Sequence, residues 1–597
     1  MSIFLRAFVV VTLVATTLPA APPVPGDDSV HRSPVDVAVS ADQRWVATAN
    51  QTANTVTLIS WPDGKLQCET PVGDRPTYIL SRETPEGTQF LVSCTFAQQV
   101  LELRVEQGES GQPATLALGR TFELPGQPVG LALNATRGQL YVALESEAAV
   151  AEVDLASGKV TRTIETGRWP RFLALSRDGS RLGVSTSGDR GVSVIDLASG
   201  KTVHQQSFIG LNIGHLQLGA DDRVYFPWMV YRRNPISAGN IRLGWVLASR
   251  LGRFRLDSDE RREAVSLDPP GRAIADPYGL AITAKGDRLV SSASGTHELL
   301  VYRIDALPFE SAGGPDHLEP ELREAPDKFD RIELGGRPMG LRMLSDDNTV
   351  LVSNYLSDAV QVVDVAERRV TRTLSLGGPR QPSLEREGEA IFYDGQRSLD
   401  QWYSCHSCHQ DGAGNSVVID TFNDATPRTY KSVLPLYHVT ETAPWTWHGW
   451  QTDLRAAMNK SITSTMLGKP PTEHEVDALI AYLRTLKPPP KVERPETEAS
   501  RRGEAIFAEV GCADCHRGPH FTDGKVHDVG LGRPGDRYDG FNTPSLHRVS
   551  RKVKLLHDGR ADSLRAVLEG AHNPADVTGK KLDERQLDDL LEFLKRL

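Results

Sequence analysis

The chain has no excess of positive charge and, past its N-terminus, no long apolar run. Its 597 residues carry a formal net charge of −10, which argues against nucleic acid as a partner. No segment after the first 21 residues is long and apolar enough to cross a membrane as a helix. The hydrophobic fraction of 39% and the charged fraction of 24% are those of a soluble globular protein, and the length exceeds that of one ordinary domain.

Cysteine is rare too, since the chain contains only six. Four of them form two C-x-x-C-H motifs, at residues 405–409 and 512–516. Two thiols three residues apart on one helical turn can each form a thioether to a haem vinyl group, and the following His can then bind the iron. The predicted haem attachment residues are Cys405, Cys408, Cys512 and Cys515, and the predicted proximal iron ligands are His409 and His516.

The pentapeptide Gly-Glu-Ala-Ile-Phe precedes both motifs, at residues 388–392 and 503–507, which indicates a duplicated haem module. A C-x-x-C pair can also belong to a zinc site or a redox dithiol. A zinc site would need two further ligands at matching spacing, and a redox dithiol does not require the trailing His. The duplicated context therefore favours two covalently bound c-type haems.

The N-terminal 21 residues are typical of a secretion signal. Arg6 is followed by an apolar run over residues 7–14 and then by small residues. No cysteine follows this stretch, so a lipid anchor is not expected. Export to the periplasm, or otherwise out of the cytoplasm, fits c-type haem, which bacteria attach there. The two remaining cysteines, Cys68 and Cys94, either pair in an oxidising compartment or stay free and buried, and the sequence leaves both open.

Internal repeats dominate residues 30–380. The hexapeptide Asp-Leu-Ala-Ser-Gly-Lys occurs unchanged at residues 154–159 and 196–201, within a longer pattern of short alternating strands and turns. The opening strand of this pattern begins at Pro34, Pro76, Pro128, Pro170, Ile213, Pro277 and Pro338. Four short strands repeated at roughly 40 to 50 residues are typical of a propeller blade. The seven units predict a seven-bladed all-β propeller with YVTN-like repeats, and eight or six blades are the alternatives.

The unit after Tyr225 carries an insertion rich in aromatic and basic residues, which include Trp228 and Trp245. This insertion either covers the propeller face or a haem domain, or it forms a small apolar cluster of its own, and we favour the self-contained cluster. No group of His, Asp and Glu with metal-ligand spacing stands out between residues 30 and 380. The sequence therefore does not show an active site within the propeller.

From residue 384 the hydrophobic pattern changes to helical periodicity. Helices are predicted over residues 384–393, ahead of the first motif, and over residues 473–486, which close the first module. A Pro-rich linker follows at residues 488–496, and an amphipathic helix over residues 583–597 ends the second module. The predicted fold is therefore multidomain: an all-β propeller is followed by two all-α cytochrome c-type haem domains, at residues 384–487 and 497–597.

The second module resembles the C-terminal haem domain of bacterial di-haem cytochrome c peroxidases and of the related methylamine-utilisation di-haem enzymes. The matching segments are Phe-Thr-Asp-Gly at 521–524, His-Asp-Val-Gly at 527–530, Asn-Thr-Pro-Ser-Leu at 542–546 and His-Asp-Gly-Arg at 557–560. The resemblance covers residues 384–597, and the propeller is not part of the standard peroxidase architecture. It implies electron transfer between two haems, and a calcium ion that the family often carries between its haem domains.

The resemblance also points to further site residues. Residues 447–458 align without gaps on residues 557–568, and the family's first copy carries a Trp between the two haems, a position that Trp447 occupies. A packed aromatic cluster is the alternative for this Trp. The family's acid/base Glu is replaced by Thr465, whose hydroxyl is a poor substitute at neutral pH. The candidate distal iron ligands are Met466, which is alternatively a core residue, and His572.

These residues together predict an exported di-haem c-type cytochrome oxidoreductase. It would pass electrons between a redox protein or small molecule and an acceptor. The resemblance implies peroxide as the acceptor, and the replacement of the Glu by Thr465 counts against it. The alternative is a non-catalytic electron-transfer protein whose propeller docks a redox partner or an envelope component. We favour the enzyme.

Overall fold

The computed structural model describes residues 28–108, 112–311, 316–423, 426–492, 494–538 and 540–597. The predicted secretion signal at residues 1–21 lies outside the described residues. Within the described parts of the chain, no helix is long and apolar enough to cross a membrane. Cys68 and Cys94 are both free thiols, and burial raises the pKa of Cys94 to about 12.

Seven antiparallel sheets follow one another along residues 34–375, which confirms the predicted seven-bladed propeller. The opening strands of neighbouring blades contact one another around the ring, and the opening strand of the last blade contacts that of the first. The strands are, blade by blade, Pro34–Val39, Trp45–Asn50, Thr55–Ser60 and Leu66–Pro71; Pro76–Thr84, Gly87–Cys94, Gln99–Glu106 and Thr115–Glu123; Pro128–Asn134, Gln139–Leu144, Ala149–Asp154 and Lys159–Glu165; Pro170–Leu175, Arg181–Thr186, Gly191–Asp196 and Lys201–Ser207; Gly210–Leu211, Gln217–Leu218, Arg223–Tyr231, Leu247–Arg255 and Glu263–Ser266; Pro277–Ile282, Arg288–Ala293, Glu298–Arg303 and Phe329–Glu333; Pro338–Met343, Thr349–Asn354, Ala359–Asp364 and Arg369–Ser375.

The repeated hexapeptide forms the turn between the third and fourth strands of its blade. In the first copy, the Asp154 carboxylate accepts a hydrogen bond from the backbone N–H of Ser157 at 2.7 Å. Gly158 follows with a φ of +74°, in the left-handed region that glycine adopts without strain. The second copy has the same Asp–Ser hydrogen bond at 2.7 Å, from Ser199 to Asp196. The sequence repeat is therefore a repeat of one turn geometry.

The fifth blade departs from the predicted pattern at its opening strand. Residues 213–216 do not form that strand, and two short strands, Gly210–Leu211 and Gln217–Leu218, pair instead with Arg223–Tyr231. Between them Asn212 has a φ of +48°, which breaks the extended backbone. The side chain of Asn212 donates a hydrogen bond to the carbonyl oxygen of Ser407. The residue that interrupts the strand therefore contacts the C-terminal region.

The aromatic insertion of the fifth blade does not form a cluster of its own, so that prediction was wrong. Met229, Tyr231 and Ile236 are buried together with side chains of the C-terminal region, whereas Phe226 and Trp228 are buried within the propeller. The Tyr231 hydroxyl also donates a hydrogen bond to the carbonyl oxygen of Val418 at 2.5 Å. The shared core consists of Met229, Tyr231, Ile236, Ile241 and Val246 from the blade, and Trp402, Tyr403, Ile419 and Met466 from the C-terminal region.

The seam between the first and last blades is closed by side chains rather than by an exchanged strand. Each blade takes its strands from one continuous segment. Across the seam, the backbone N–H of Ser33 donates to the Asp358 carboxylate at 2.7 Å. Arg386, from the first helix of the C-terminal region, donates to the Ser33 hydroxyl at 3.1 Å and to the Tyr355 carbonyl at 2.6 Å.

The C-terminal region combines helices and loops with two very short ladders, so it is not purely helical. Val418–Ile419 pairs with Lys431–Ser432, and Val526–His527 pairs with Phe541–Asn542. The α-helices here are Leu384–Phe392, Cys405–Cys408, Leu454–Lys460, Glu473–Thr485, Glu498–Glu509, Cys512–Cys515, Leu564–Glu569, Pro574–Val577 and Glu584–Leu594. Two others, Ala238–Arg242 and Pro320–Arg323, lie in propeller loops, and one π-helical turn, Ser461–Thr465, extends Leu454–Lys460.

The duplicated pentapeptide places a glycine where two helices cross. Helix Leu384–Phe392 packs on Glu473–Thr485, and helix Glu498–Glu509 packs on Glu584–Leu594. A Cβ atom on Gly388 would overlap the carbonyl oxygen of Ala478, and one on Gly503 would overlap that of Asp589. The repeated glycine therefore allows the same close helix contact in both modules.

Candidate haem-binding site

The first C-x-x-C-H motif lies on a short helix that the propeller holds in place. Helix Cys405–Cys408 begins after Ser404, whose hydroxyl accepts from the backbone N–H of Ser407. Asp276, from the propeller, accepts hydrogen bonds from the hydroxyls of both serines, at 2.6 and 2.7 Å. Asp276 is buried, so these bonds are shielded from water and fix the helix firmly.

His409 and Met466 both lie at this first motif. Burial lowers the pKa of His409 to about 4, although the carbonyl oxygens of Leu434 and Ala413 oppose the shift. The ring is therefore neutral at pH 7 and keeps a lone pair for a metal. Met466 is buried, with its Sδ atom 3.9 Å from the Cys405 Sγ atom. The predicted thioether residue and the candidate distal ligand are thus neighbours.

Thr465 does not present a free hydroxyl at this site. Its Oγ1 accepts a hydrogen bond from the Asn423 side chain at 2.8 Å. Its carbonyl oxygen accepts a hydrogen bond from the buried Tyr403 hydroxyl at 2.7 Å. These contacts fix the π-helical turn that carries Thr465 and place Met466 directly after it.

In the second motif, the His516 ring is oriented and neutral, as a proximal iron ligand must be. Helix Cys512–Cys515 follows Gly511, whose φ is +88°. His516 Nδ1 lies 3.2 Å from the Phe521 carbonyl oxygen, so a proton on Nδ1 would be held there and Nε2 would carry the lone pair. Burial lowers the pKa of His516 to about 4, which keeps the ring neutral at pH 7.

His572 lies in the same cavity as His516. Burial lowers the pKa of His572, and its Nδ1 atom is buried without a hydrogen-bond partner among the described residues. The backbone N–H of His572 donates to the Val567 carbonyl oxygen at 3.1 Å, which fixes the turn after helix Leu564–Glu569. Two thiols, a neutral His and a second buried imidazole are a donor set that fits a covalently bound haem.

One large cavity joins the second motif to the propeller; we call it the chamber. Its volume is about 1060 Å³. It is lined by Cys512, Cys515, His516 and His572 of the second module, by Trp447 of the first module, and by the propeller residues Arg171, Tyr278 and Arg337. The chamber wall also carries the cationic side chains Arg548, Arg551 and Lys552, which suit the carboxylates of a haem.

Trp447 lies at the boundary between the two modules. Its indole N–H donates to the carbonyl oxygen of Ser432 in the first module at 2.8 Å. Its own carbonyl oxygen accepts from the backbone N–H of Asn542 in the second module at 2.8 Å. The indole ring lies 6.3 Å from the ring of His557, its counterpart in the second copy of the motif. This position agrees with an inter-haem residue, and the electron-transfer role stays a prediction.

A charge cluster lies where the chamber meets the propeller. The Asp411 carboxylate lies 3.5 Å from Arg171, in the strand Pro170–Leu175, and 3.7 Å from Arg75, in a propeller turn. Burial raises the pKa of Asp411, but Arg171, Arg75 and other nearby cations together outweigh it and hold the pKa well below its usual range. The guanidinium group of Arg337 stacks on the ring of Tyr393 at 3.4 Å. Sequence reasoning missed these residues because they come from segments distant in the chain.

The structure therefore joins a seven-bladed propeller to a region with two C-x-x-C-H motifs, a duplicated helix crossing and a tryptophan at the module boundary. Comparison with known proteins confirms the predicted resemblance to di-haem peroxidase-like proteins, fused to a propeller. No family model matches the chain.

Two curated relatives carry the resemblance. Hydrazine synthase subunit gamma of Kuenenia stuttgartiensis is 26% identical over 279 aligned residues, which cover 37% of this chain and 79% of that protein. Methylamine utilization protein MauG of Methylorubrum extorquens is 33% identical over 120 residues, which cover 16% of this chain and 34% of that protein. A solved structure of Kuenenia stuttgartiensis hydrazine synthase aligns over 60% of this chain and 99% of its own, with 20% identity and a TM-score of 0.48.

Proposed function

We propose that the protein is an exported di-haem c-type cytochrome oxidoreductase. Cys405, Cys408, Cys512 and Cys515 would hold the two haems as thioethers, His409 and His516 would bind the irons, and Met466 and His572 are the candidate further iron ligands. Bound in this way, each haem supplies a one-electron redox centre. Export through the N-terminal 21 residues, and a calcium ion between the haem modules, belong to the same proposal.

The observation that carries this proposal is the shared chamber. Cys512, Cys515, His516 and His572 line it together with Trp447. Trp447 is hydrogen-bonded to both modules, which supports a role for its ring in electron transfer between them. A side chain held rigidly at that position gives electrons a packed route rather than a gap.

The chain's own residues have separable tasks in this scheme. The Phe521 carbonyl orients the His516 ring, and Asp276 fixes the helix of the first motif. Burial lowers the pKa of Lys552 on the chamber wall to about 8, so this amine can release and take up a proton close to neutral pH. The Thr465 Oγ1 accepts a hydrogen bond from Asn423, and an aliphatic hydroxyl is too weakly acidic to be a good proton donor at neutral pH.

Peroxide is the acceptor that the resemblance implies, and reduced nitrogen compounds are a second class because one relative is a hydrazine synthase subunit. The alternative is a non-catalytic electron-transfer protein whose propeller docks a redox partner or an envelope component. The 3.9 Å approach of Met466 to Cys405 favours it, because a thioether on the first iron would close its sixth position.

Electron paramagnetic resonance of the as-isolated and half-reduced protein separates the two functions. A high-spin ferric signal in either state supports the enzyme, since it reports an iron with an open position. Two low-spin signals that persist on half-reduction support the electron-transfer protein. Met466→Ala is the matched variant: a low-spin signal that turns high-spin only in this variant assigns Met466 as the ligand. Consumption of peroxide, hydroxylamine or hydrazine by the protein then tests the substrate.

A further inference from the structure

Three histidines from three separate segments meet beside the second haem module. His438 precedes the short turn Val439–Glu441 of the first module, His520 lies four residues after His516, and His547 follows the Pro-Ser-Leu segment of the second module. The ring centroids of His438 and His520 are 4.5 Å apart, and those of His547 lie 5.5 and 5.8 Å from them. One nitrogen of each ring lies within 4.8 Å of one nitrogen of each other ring.

One carboxylate lies close to two of these rings, and two ring nitrogens of the cluster are buried without a hydrogen-bond partner among the described residues. His520 Nε2 lies 3.0 Å from the Glu441 carboxylate, and His438 Nδ1 lies 3.7 Å from its other oxygen. His520 Nδ1 and His547 Nε2 are both buried and without a hydrogen-bond partner among the described residues. A buried nitrogen without a partner is costly, and here two such atoms belong to one cluster.

This arrangement matches the second coordination shell of a metal site. A metal-bound His commonly donates its other ring N–H to a carboxylate, which fixes the tautomer and turns the free lone pair toward the metal. Glu441 can do this for His520 and His438 together. Lys487 and Lys491 lie close enough for their charges to act on His438 and His547, which opposes a bare cation but suits a bound hydroxide or other anion.

We propose that His438, His520 and His547 bind one divalent transition-metal ion of the zinc class, with Glu441 as the orienting carboxylate. Imidazole nitrogens are preferred ligands of such ions, at about 2.0–2.1 Å. Three protein ligands leave the fourth position to water or an anion, which is the arrangement of an exchangeable rather than a closed structural site. His547 also lines the chamber, so the ion would lie in its wall. Because His438 belongs to the first module and the other two to the second, the ion would also tie the modules together.

The test is a Zn²⁺ titration of the haem-loaded, chelator-treated protein by isothermal calorimetry. We expect one ion per chain, a raised Tm in excess Zn²⁺, and at least tenfold weaker binding for His547→Gln and for His438→Gln. Glu441→Gln is expected to weaken binding by about 10- to 100-fold. His474→Gln is the matched control, since His474 is also paired with a glutamate, Glu387, but is exposed and apart from the cluster. The haem absorption spectrum shows whether each variant is folded.

Anomalous diffraction of Zn²⁺-soaked wild-type crystals at the zinc edge gives a readout that does not depend on any variant. A zinc peak between the three rings supports the proposal. No binding by the wild-type protein, unchanged affinity in His547→Gln and His438→Gln, or a peak elsewhere would overturn it. The group formed by Cys515, Asp523 and His527 is the specific competitor, so loss of binding in His527→Gln alone would overturn the proposal as well.

Discussion

Three carboxylates connect the parts of the molecule, two between the propeller and the C-terminal region and one between the two haem modules. Asp276 accepts two hydroxyl hydrogen bonds from the first haem motif, and Asp411 lies between two propeller arginines. Asp536, in the second module, lies 2.6 Å from the ammonium group of Lys431 in the first. Asp276 and the Asp536 side chain are buried, so their partners contribute more than an exposed ion pair would, whereas 32% of the Asp411 side chain is exposed.

Asp536→Asn is expected to destabilise the module junction in a pH-dependent way. Burial raises the pKa of Asp536, but the hydrogen bonds from Lys431 and the Arg533 backbone, together with the nearby positive charge, outweigh it, and the folded-state pKa is lowered. A carboxyl with a lowered folded-state pKa stabilises the fold at pH values above its unfolded-state pKa of about 3.9. That contribution is lost as the pH falls through the folded-state pKa. Calorimetry should therefore show a lower Tm for the variant at pH 7, by the equivalent of about 1–3 kcal/mol, and a shrinking difference toward pH 3.

Asp305→Asn provides the control for this titration. Asp305 also pairs with an arginine, Arg303, but both side chains are exposed, so its removal is expected to change Tm little at any pH. A difference between wild type and Asp536→Asn that stays constant from pH 7 to pH 3 would contradict the assigned role of the carboxylate.

Among the structural elements, the helix crossing at the repeated glycine is the most demanding. Gly388 and Gly503 allow the carbonyl oxygens of Ala478 and Asp589 to approach where a Cβ would otherwise lie. In each module the crossing packs the last helix against the helix that precedes the C-x-x-C-H motif in the sequence. The two modules therefore share a packing constraint as well as a ligand motif.

Gly503→Ala is expected to destabilise the second module by roughly 1–3 kcal/mol, because the added methyl group forces the helices apart. The measurement is the unfolding transition of the second module, followed by haem absorbance during heating. Gly239→Ala is the control, because nothing lies within 4 Å of the added Cβ in the short helix Ala238–Arg242. Equal transition temperatures for Gly503→Ala and wild type would show that the crossing tolerates a side chain.

Elements with a local signal were predictable from the sequence, and contacts between distant segments were not. Strand alternation and the turn hexapeptide gave the blades, and helical periodicity gave the helices at residues 384–393 and 473–486. The predicted opening strand of the fifth blade, at residues 213–216, was wrong because Asn212 adopts a left-handed backbone conformation. Its side chain contacts Ser407 across the domain boundary. Asp276 and the three-histidine cluster were missed for the same reason, since only the tertiary fold brings their segments together.

At the scale of the whole molecule, the propeller and the C-terminal region share one apolar core. The fifth-blade insertion buries Met229, Tyr231 and Ile236 against the first haem module, and the chamber is lined by residues of both parts. Each part alone would therefore expose apolar side chains that the other part covers.

The isolated propeller, residues 28–380, is expected to expose this apolar patch. Without the C-terminal region, Met229, Tyr231 and Ile236 lose the side chains that cover them. The fragment should bind a hydrophobic dye and self-associate in size-exclusion chromatography, whereas the full chain should not. Tyr231→Ser in the fragment serves as a partial repair, and its dye binding should fall. A fragment that is monomeric and binds no dye would show that the patch closes on itself.

The seam of the propeller has a consequence for how the chain is made. Because each blade uses its own consecutive strands, the ring cannot close until the seventh blade has left the ribosome. The residues that fasten the seam, Ser33 and Asp358, are joined by Arg386, which emerges only about a dozen residues after the last strand. Closure of the ring brings the first-made and last-made blades together. Docking of helix Leu384–Phe392, which carries Arg386, belongs to the same late stage of synthesis.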